Sequence, residues 1–267
     1  PLTFTATYQS QVFTSRINLN VVQVELDAIT ISRPGRRIPN NAPSNFGYKA
    51  VDADGNQVLL GNAITWSIES LSSSAAKSSG FRKGDGDSEV VRIPNSLYKA
   101  VSTGPGQISS KGVFTPLTDG VGEFKVVVYD AVSTILAESE PVVLVSRIET
   151  PRDLTIRDGQ GFEMFLPAAS YEANAEFTLT YAKTEAAKKY VVAKGTDKSL
   201  VVSDEIYNVN YSGAEIGSGI NVKIPEPEGL ELSEGERYMG YFNPFDLQWE
   251  LQTTSQSAGV LEARNVT

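Results

Sequence analysis

The sequence predicts an all-β protein built from β-sandwiches, and three observations lead to that prediction. Short runs in which apolar and polar residues alternate recur along the whole chain, as expected of half-buried strands. Turn-forming residues separate these runs, and the cluster at 52–56, between two apolar segments, predicts a β-hairpin. Residues 184–189 are the one stretch rich in helix formers, and they have room for a turn or two of helix at most.

The segment 63–69 shows why a second sheet is needed. Ile64, Trp66 and Ile68 alternate with Thr65 and Ser67, which places the indole and two branched aliphatic side chains on one face of a strand. A strand with one apolar face must be covered by another layer of structure. This segment therefore favours a sandwich.

The first 23 residues predict two strands, 2–8 and 14–22, joined by a polar turn at 9–11. A similar passage occurs at 124–130 and 141–149, where a β-rich run ending near a tyrosine again leads through a turn to a second β-rich run. This weak internal repeat allows two interpretations. Residues 1–23 are either the closing strands of a preceding module or part of the first sandwich.

The first complete module is predicted at residues 24–148. Its segment 70–97 is rich in serine, glycine and aspartate, a composition that predicts a long exposed loop. The strands predicted for this module are 25–32, 46–51, 57–60, 63–69, 98–102, 112–115, 122–130 and 133–146.

A second module is predicted at residues 151–267. Thr150 and Pro151 mark the boundary, because proline restricts the preceding residue to extended conformations and interrupts strand pairing. The strands predicted for this module are 161–166, 175–182, 198–203, 206–211, 220–225, 237–243, 247–252 and 259–263.

The charge balance and the length constrain the setting of the protein. The 267 residues include 32 acidic and 23 basic side chains, for a net charge of −9. Nucleic-acid binding normally needs a basic face, so no nucleic-acid partner is expected. No apolar run approaches the roughly 18–20 residues of a membrane span. The chain starts at Pro1 without a signal-peptide pattern, and we interpret it as a mature or excised piece of a longer protein.

The composition also argues against an enzyme. The chain contains no histidine and no cysteine, which removes the imidazole base, the thiol nucleophile and the usual zinc ligands. No glycine-rich phosphate loop, nucleophile elbow or zinc-binding helix motif is present. We therefore expect a non-enzymatic protein that requires no cofactor.

Two acidic clusters are candidate calcium sites. Asp85, Asp87 and Glu89 place three carboxylates at alternate positions, and Asp52 and Asp54 resemble the start of a calcium loop. The second cluster lacks the glutamate that closes a twelve-residue loop. The alternatives are a solvated acidic loop for the first cluster and an ordinary hairpin turn for the second.

The aromatic residues give one candidate contact surface. Trp66 and Trp249 both alternate with polar residues among aliphatic neighbours, which predicts core packing for both. An exposed ring in the densest aromatic cluster would be the best candidate contact surface. That cluster comprises Tyr238, Tyr241, Phe242 and Phe245.

Five segments of the first module follow one another in a recognisable order: LDAITIS, YKAVDADGNQV, AITWSI, KGVFTP and GEFKVVVYD. Their order, with a glycine before the penultimate strand, resembles the bacterial Ig-like (Big) domains of surface-layer proteins and intimin-type adhesins. The inserted 70–97 segment departs from that pattern. In the second module, EIYNV, VKIPEPEG and LQWELQTT look like a β-sandwich module of Gram-positive surface proteins.

The resemblance implies tandem Ig-like β-sandwiches in a non-enzymatic structural and assembly segment of a large bacterial cell-surface protein of the surface-layer type. The partners it implies are neighbouring domains of the same chain and other copies of it, with calcium as a possible cross-link between acidic loops. An adhesin stalk or a carbohydrate-binding accessory module of a secreted protein is the alternative. A virion or phage decoration domain is a third interpretation.

Overall fold

The computed structural model describes residues 2–17, 25–71, 104–183, 190–195, 199–201, 205–213, 216–226, 237–243, 247–257 and 259–266. Within these residues the chain is almost entirely β, with mostly antiparallel sheets and two single-turn 3-10 helices, Gly61–Ala63 and Ala168–Ser170. The all-β prediction is confirmed. The assignment of the two modules to Ig-like domains stays a prediction.

The strands of the first half of the chain are β1 (Leu2–Tyr8), β2 (Gln11–Ile17), β3 (Leu26–Ser32), β4 (Arg37–Pro39), β5 (Ser44–Asn45), β6 (Gly47–Asp52), β7 (Gln57–Val58), β8 (Thr65–Ser70), β9 (Gly106–Ile108), β10 (Val113–Pro116), β11 (Gly122–Tyr129), β12 (Ile135–Glu138) and β13 (Val142–Ile148).

The strands of the second half are β14 (Leu154–Arg157), β15 (Glu163–Leu166), β16 (Ala175–Lys183), β17 (Tyr190–Val192), β18 (Ser199–Val201), β19 (Glu205–Tyr211), β20 (Ile220–Pro225), β21 (Gly240–Asn243), β22 (Gln248–Leu251), β23 (Thr254–Ser257) and β24 (Val260–Val266).

The first sandwich encloses an aromatic core. One layer contains β8, β11, β13 and β4, and the other is formed by the sheets β3-β6-β7 and β5-β10-β9. Phe124 of β11 and Phe114 of β10 stack with ring centroids 4.6 Å apart, and neither ring is exposed. Ile64, Trp66 and Ile68 are all buried in the same core, as their alternation predicts.

The predicted strand 133–146 is divided into β12 and β13, and both parts pair with β11. The break between them is closed by Ser139, whose amide donates to the carbonyl of Val126 (2.8 Å) and whose Oγ accepts from the amide of Val126 (2.9 Å). A break of three residues in a run of apolar residues is not visible in the alternation of the sequence.

Several short strands were not predicted, because two to four residues are too few to show a period of two. These are β4, β5, β9, β14, β17 and β23. The predicted strand 98–102, most of the predicted loop 70–97 and the helix-forming stretch 184–189 lie outside the described residues.

The second sandwich places the sheet β14-β15-β20-β24-β23 against β16 and β19. Its core is formed by apolar side chains from both layers, including Ile156, Phe162 and Phe177, which are 1% exposed or less. Phe162 stacks on Tyr207 with centroids 5.4 Å apart.

Two of the described sheets are two-stranded hairpins. β1 and β2 are joined by a two-residue turn at Gln9 and Ser10, both with positive φ (47° and 65°), which confirms the predicted turn. Positive φ at both positions is the conformation that matches the twist of a tight hairpin. β21 and β22 form the second hairpin. Whether residues 1–23 belong to a preceding module stays a prediction.

We expect Phe124→Ala to lower the free energy of unfolding by about 3–5 kcal/mol, because the ring is fully buried between Phe46 and Phe114 and its removal leaves a cavity. Chemical denaturation measures this change. Val132→Ala is the control, since Val132 is 70% exposed and its truncation should change stability by less than about 0.5 kcal/mol. Similar losses for the two variants would contradict the assigned core.

Candidate functional site

The strand β13 is hydrogen-bonded to both sandwiches. Residues 142–144 pair with β11 of the first sandwich, and residues 145–148 pair with β16 of the second. β4 pairs in parallel with residues 143–145. Some of the β13 residues that pair with β4 also pair with β11 or β16. Since a residue can pair with only one strand on each edge, β4 lies along one edge of β13, and β11 and β16 lie along the other. One strand edge therefore passes from the first sandwich into the second.

The sequence of β13 explains how it serves two cores. Residues 142–145 are an uninterrupted apolar run, which is typical of a strand covered on both faces, and all four are buried. Val142 and Leu144 pack in the first core, whereas Ile148 packs in the second. The predicted domain boundary at Thr150–Pro151 comes after this strand in the sequence. The residues that hydrogen-bond to both modules therefore precede the predicted boundary.

A second contact joins the loop before β11 to the end of β14. Val121 is completely buried in the core of the second sandwich, although it is the residue next to β11. Its amide donates to the carbonyl of Arg157 (2.9 Å), and the amide of Arg157 donates to the carbonyl of Asp119 (3.3 Å). Arg152 also pairs with the carboxylate of Asp119 at 2.5 Å.

Asn40, which follows β4, hydrogen-bonds both to the shared strand β13 and to the loop before β11. Its amide donates to the carbonyl of Val145 (2.9 Å), and its side-chain Nδ2 donates to the carbonyl of Gly120 (3.1 Å). The shared strand and the loop that enters the second core are therefore fixed to each other by one residue.

A buried polar cluster lies where the sandwiches meet. The carboxylate of Asp158 is not exposed, and it accepts hydrogen bonds from the amides of Gln160 (2.6 Å) and Phe162 (3.0 Å) and from the hydroxyl of Tyr181 (3.0 Å). Such donors are what a buried carboxylate needs to offset its desolvation. Ser70 of β8, in the first sandwich, hydrogen-bonds the same tyrosine hydroxyl.

The environment of Tyr181 keeps its hydroxyl protonated. Burial, followed by the negative charge of Asp158, raises the pKa of Tyr181 well above its usual value. The hydroxyl therefore stays protonated, and able to donate a hydrogen bond, at alkaline pH where a solvent-exposed tyrosine would ionise. It is a polar link between β16 of the second sandwich and β8 of the first.

The two backbones also approach each other closely at Gly159. Its φ is +74°, and a Cβ added there would lie 2.2 Å from the carbonyl oxygen of Gly104 in the first sandwich. No side chain fits that space, so this close approach requires glycine.

The calcium candidates are only partly within the described residues. Asp52 closes the turn between β6 and β7, where its Oδ1 accepts from the amides of Asp54 (3.0 Å) and Asn56 (2.8 Å). The hydrogen bond from the Asn56 amide is the main cause that lowers the pKa of Asp52. These hydrogen bonds are those expected of a hairpin turn, and calcium binding at Asp52 and Asp54 stays a prediction. Asp85, Asp87 and Glu89 lie outside the described residues.

The aromatic cluster near the C-terminus is exposed. Tyr238, Tyr241 and Phe242 are each about 40% exposed, while Phe245 lies outside the described residues. Trp249 is half-buried rather than in a core, because it belongs to the two-stranded hairpin β21-β22 and packs over Gly240 instead of between sheets. The core-packing prediction is thus confirmed for Trp66 and wrong for Trp249.

The rings of this hairpin do not form one row. Phe242 lies opposite Trp249, with centroids 5.5 Å apart and planes tilted by 59°. Tyr241 is on the other face, opposite Glu250. There the Oε1 of Glu250 accepts from Lys194 Nζ (3.2 Å) and Asn243 Nδ2 (3.1 Å).

Metal binding, membrane insertion and family membership are the remaining points that bear on function. Within the described residues there is no group of three or more acidic side chains placed to hold a metal ion. No helix in the part of the chain that the structure describes has the length and apolar character needed to cross a bilayer. No family model matches the chain, and comparison with curated proteins gives no match. The resemblance to bacterial Ig-like domains therefore remains an interpretation of the sequence.

We expect Tyr181→Phe to lower the free energy of unfolding by about 1.5–3 kcal/mol, because it removes a hydrogen bond from a carboxylate that stays buried. Denaturant titration measures the loss. Tyr129→Phe is a matched control, since that hydroxyl donates to Glu69 (2.6 Å) at an exposed site and should contribute less. If the two variants lose equal stability, the buried cluster of Asp158, Tyr181 and Ser70 does not stabilise the contact between the two sandwiches, which we call the joint.

Proposed function

We propose that this chain is a rigid, non-enzymatic structural segment of a bacterial cell-surface protein of the surface-layer type. The observation that carries the proposal is the strand β13, which pairs with both sandwiches along one edge. Domains that move relative to each other are usually connected by an exposed, flexible linker with few contacts across it. Here the connection is itself a buried strand.

The contacts around β13 support a fixed geometry. Val121 fills part of the second core from the first sandwich, Tyr181 connects Ser70 to Asp158, and Gly159 lies against Gly104. These contacts are apolar, polar and backbone-to-backbone respectively, and each would be lost if the two sandwiches rotated apart. Such a joint suits a protein whose purpose is to hold a shape.

The composition supports the non-enzymatic part of the proposal. Catalysis usually relies on polar groups left available to a substrate in a cleft. Asp158, a fully buried carboxylate, instead receives three protein donors. With no histidine or cysteine in the sequence, the remaining chemistry is limited to carboxylates, hydroxyls and amines.

The surface-layer setting rests on the sequence resemblance and on composition. The chain is acidic and lacks cysteine, so each sandwich must be stabilised by its core alone, without a disulfide framework. The two cores supply such stabilisation, and the joint connects them. Export to the cell surface and lateral assembly are parts of the proposal that follow from the resemblance.

The proposal can be tested by measuring distances between spin labels on the two sandwiches. Because the chain has no native cysteine, Val132→Cys with Ser255→Cys provides two unique labelling sites, one on each sandwich, and both residues are exposed. We expect a distance distribution as narrow as that of a same-sandwich pair, Val132→Cys with Lys111→Cys.

Adding Ser146→Pro should broaden the inter-sandwich distribution and leave the same-sandwich distribution unchanged. Ser146 pairs with Phe177 of β16, and proline cannot donate a hydrogen bond within a sheet. A wild-type inter-sandwich distribution much broader than the same-sandwich control would refute the rigid joint.

A second candidate function is ligand binding through the β21-β22 hairpin, favoured by the exposure of Tyr238, Tyr241 and Phe242. Aromatic rings of this kind can stack on sugars. The tilt between Phe242 and Trp249 and the placement of Tyr241 on the opposite face weaken this alternative.

If the hairpin binds carbohydrate, Phe242→Ala should reduce the affinity for soluble cell-wall polysaccharide at least tenfold in calorimetric titration, a loss of about 1.4 kcal/mol. Leu59→Ala is the control, since Leu59 is an exposed apolar residue on the first sandwich. No heat of binding with the wild-type chain would exclude this candidate for the polysaccharides tested.

A further inference from the structure

The outer face of the second sandwich carries an aromatic ring among polar side chains. Met164 and Leu166 of β15 pack in the second core, so Phe165 between them points to the opposite face of the sheet β14-β15-β20-β24-β23. Thr155 and Asn221 lie opposite Phe165 on the two neighbouring strands. The ring is half-buried, and it therefore leaves part of its surface open to solvent on a face that the core does not use.

Two adjoining depressions form a groove on this face. The first has a volume of about 240 Å³, and its walls are Thr155, Glu163, Phe165, Asn221, Lys223 and Glu262. The second has a volume of about 670 Å³ and also begins at Glu262, with Ser255, Arg264 and Asn265 among its walls. The groove thus crosses all five strands, a length of roughly 19 Å at about 4.8 Å between neighbouring strands.

A bulge in β24 contributes to the walls of the groove. The register shifts between Ile220 and Val222, so that Asn221 stands opposite both Arg264 and Asn265. Asn265 has a φ of 53°, and its amide donates to Oδ1 of Asn221 (3.2 Å). Because β24 is paired on both edges, the two exposed residues of the bulge are held by a strand rather than by a loop.

The charges in the groove are arranged in opposite pairs. Nζ of Lys223 lies 3.7 Å from Oε2 of Glu163, and both side chains are more than 40% exposed. Arg264 donates through Nε and Nη2 to the two carboxylate oxygens of Glu262 (3.0 and 3.2 Å). Two acids and two bases give these pairs no net charge, while each pair presents both hydrogen-bond donors and acceptors to a ligand.

We propose that this groove binds a neutral oligosaccharide, with one sugar ring against Phe165 and the sugar hydroxyls hydrogen-bonded to the Glu163–Lys223 and Glu262–Arg264 pairs. A hydroxyl both donates and accepts, which matches the paired charges, and hydrogen bonds to charged groups are the stronger kind. The C–H groups on one side of a sugar ring supply an apolar surface for the aromatic ring.

The shape and charge of the groove distinguish this ligand from others. A charged polymer would place like charges against one member of each ion pair. A second protein surface needs about 800 Å² of well-fitted contact from each partner, for which a concave face lined by exposed charged side chains is poorly suited. An open groove contacts one side of its ligand, so the affinity of a single site should be weak and should increase when several copies bind one polysaccharide.

The test is a nuclear magnetic resonance titration of the full chain with three neutral probes: cellotetraose, maltotetraose and chitotetraose. We expect at least one of them to shift the amide signals of Phe165, Asn221 and Lys223 until the site is saturated. The affinity should be the same at low and high salt, because a neutral ligand has no charge to screen.

Two substitutions of Phe165 separate ring contact from a merely structural role. Phe165→Tyr keeps the aromatic ring and should retain binding, whereas Phe165→Leu keeps an apolar side chain without the ring and should weaken binding at least tenfold. Denaturant titration checks that both variants are folded. Val132→Ala is the control on the first sandwich and should leave the affinity unchanged, since Val132 is exposed there.

The proposal is overturned if none of the three probes shifts signals in the groove, if the shifts are confined to the β21-β22 hairpin, if salt weakens the binding, or if the tyrosine and leucine variants lose equal affinity. The shift and salt measurements use the unaltered chain, so they decide the question even if a variant misfolds. The groove does not depend on the proposed structural function, and none of these results would change the spin-label distances between the sandwiches.

Discussion

On one edge of a β-strand, each residue can pair with only one neighbouring strand. In β13 the residues of one edge are divided between two sandwiches. The division explains the surrounding structure. β11 must leave β13 after Leu144 to make room for β16, and it does so at Gly122, whose φ of +138° is accessible to glycine. The chain before Gly122 then turns into the second sandwich, which places Val121 in its core.

The strands themselves were largely predictable, because alternation is a local property. Ile64, Trp66 and Ile68 lie in the core as their spacing indicates, and the turn at 52–56 joins β6 to β7. The sharing of β13 was not predictable. Its residues form the same apolar pattern whether they belong to one sheet or two, and the choice is made by partners in β11 and β16 that lie 18–33 residues away in sequence.

The candidate site was hidden from the sequence for a related reason. Asp158 lies in the segment RDGQG, which has the composition of an exposed turn, and Tyr181 is one of several tyrosines in alternating strands. Only the packing of β14 against β16 brings the two together and buries the carboxylate. The prediction for Trp249 is wrong in the opposite sense: its pattern matches a core strand, but among the described strands β22 pairs with β21 alone and Trp249 is only half-buried. The exposed aromatic cluster beside it was identifiable because it depends on composition alone.

The division of the β13 edge also determines how the molecule would respond to tension. A pull that draws the two sandwiches apart along β13 acts parallel to the strand, in the direction of shear. In that geometry the hydrogen bonds to β11 and β16 are perpendicular to the force, so they are loaded at the same time. When a strand is instead peeled from one end, its hydrogen bonds break one after another. A flexible linker would transmit the same pull to each sandwich separately. We therefore expect the junction between the sandwiches to resist tension better than a flexible linker would.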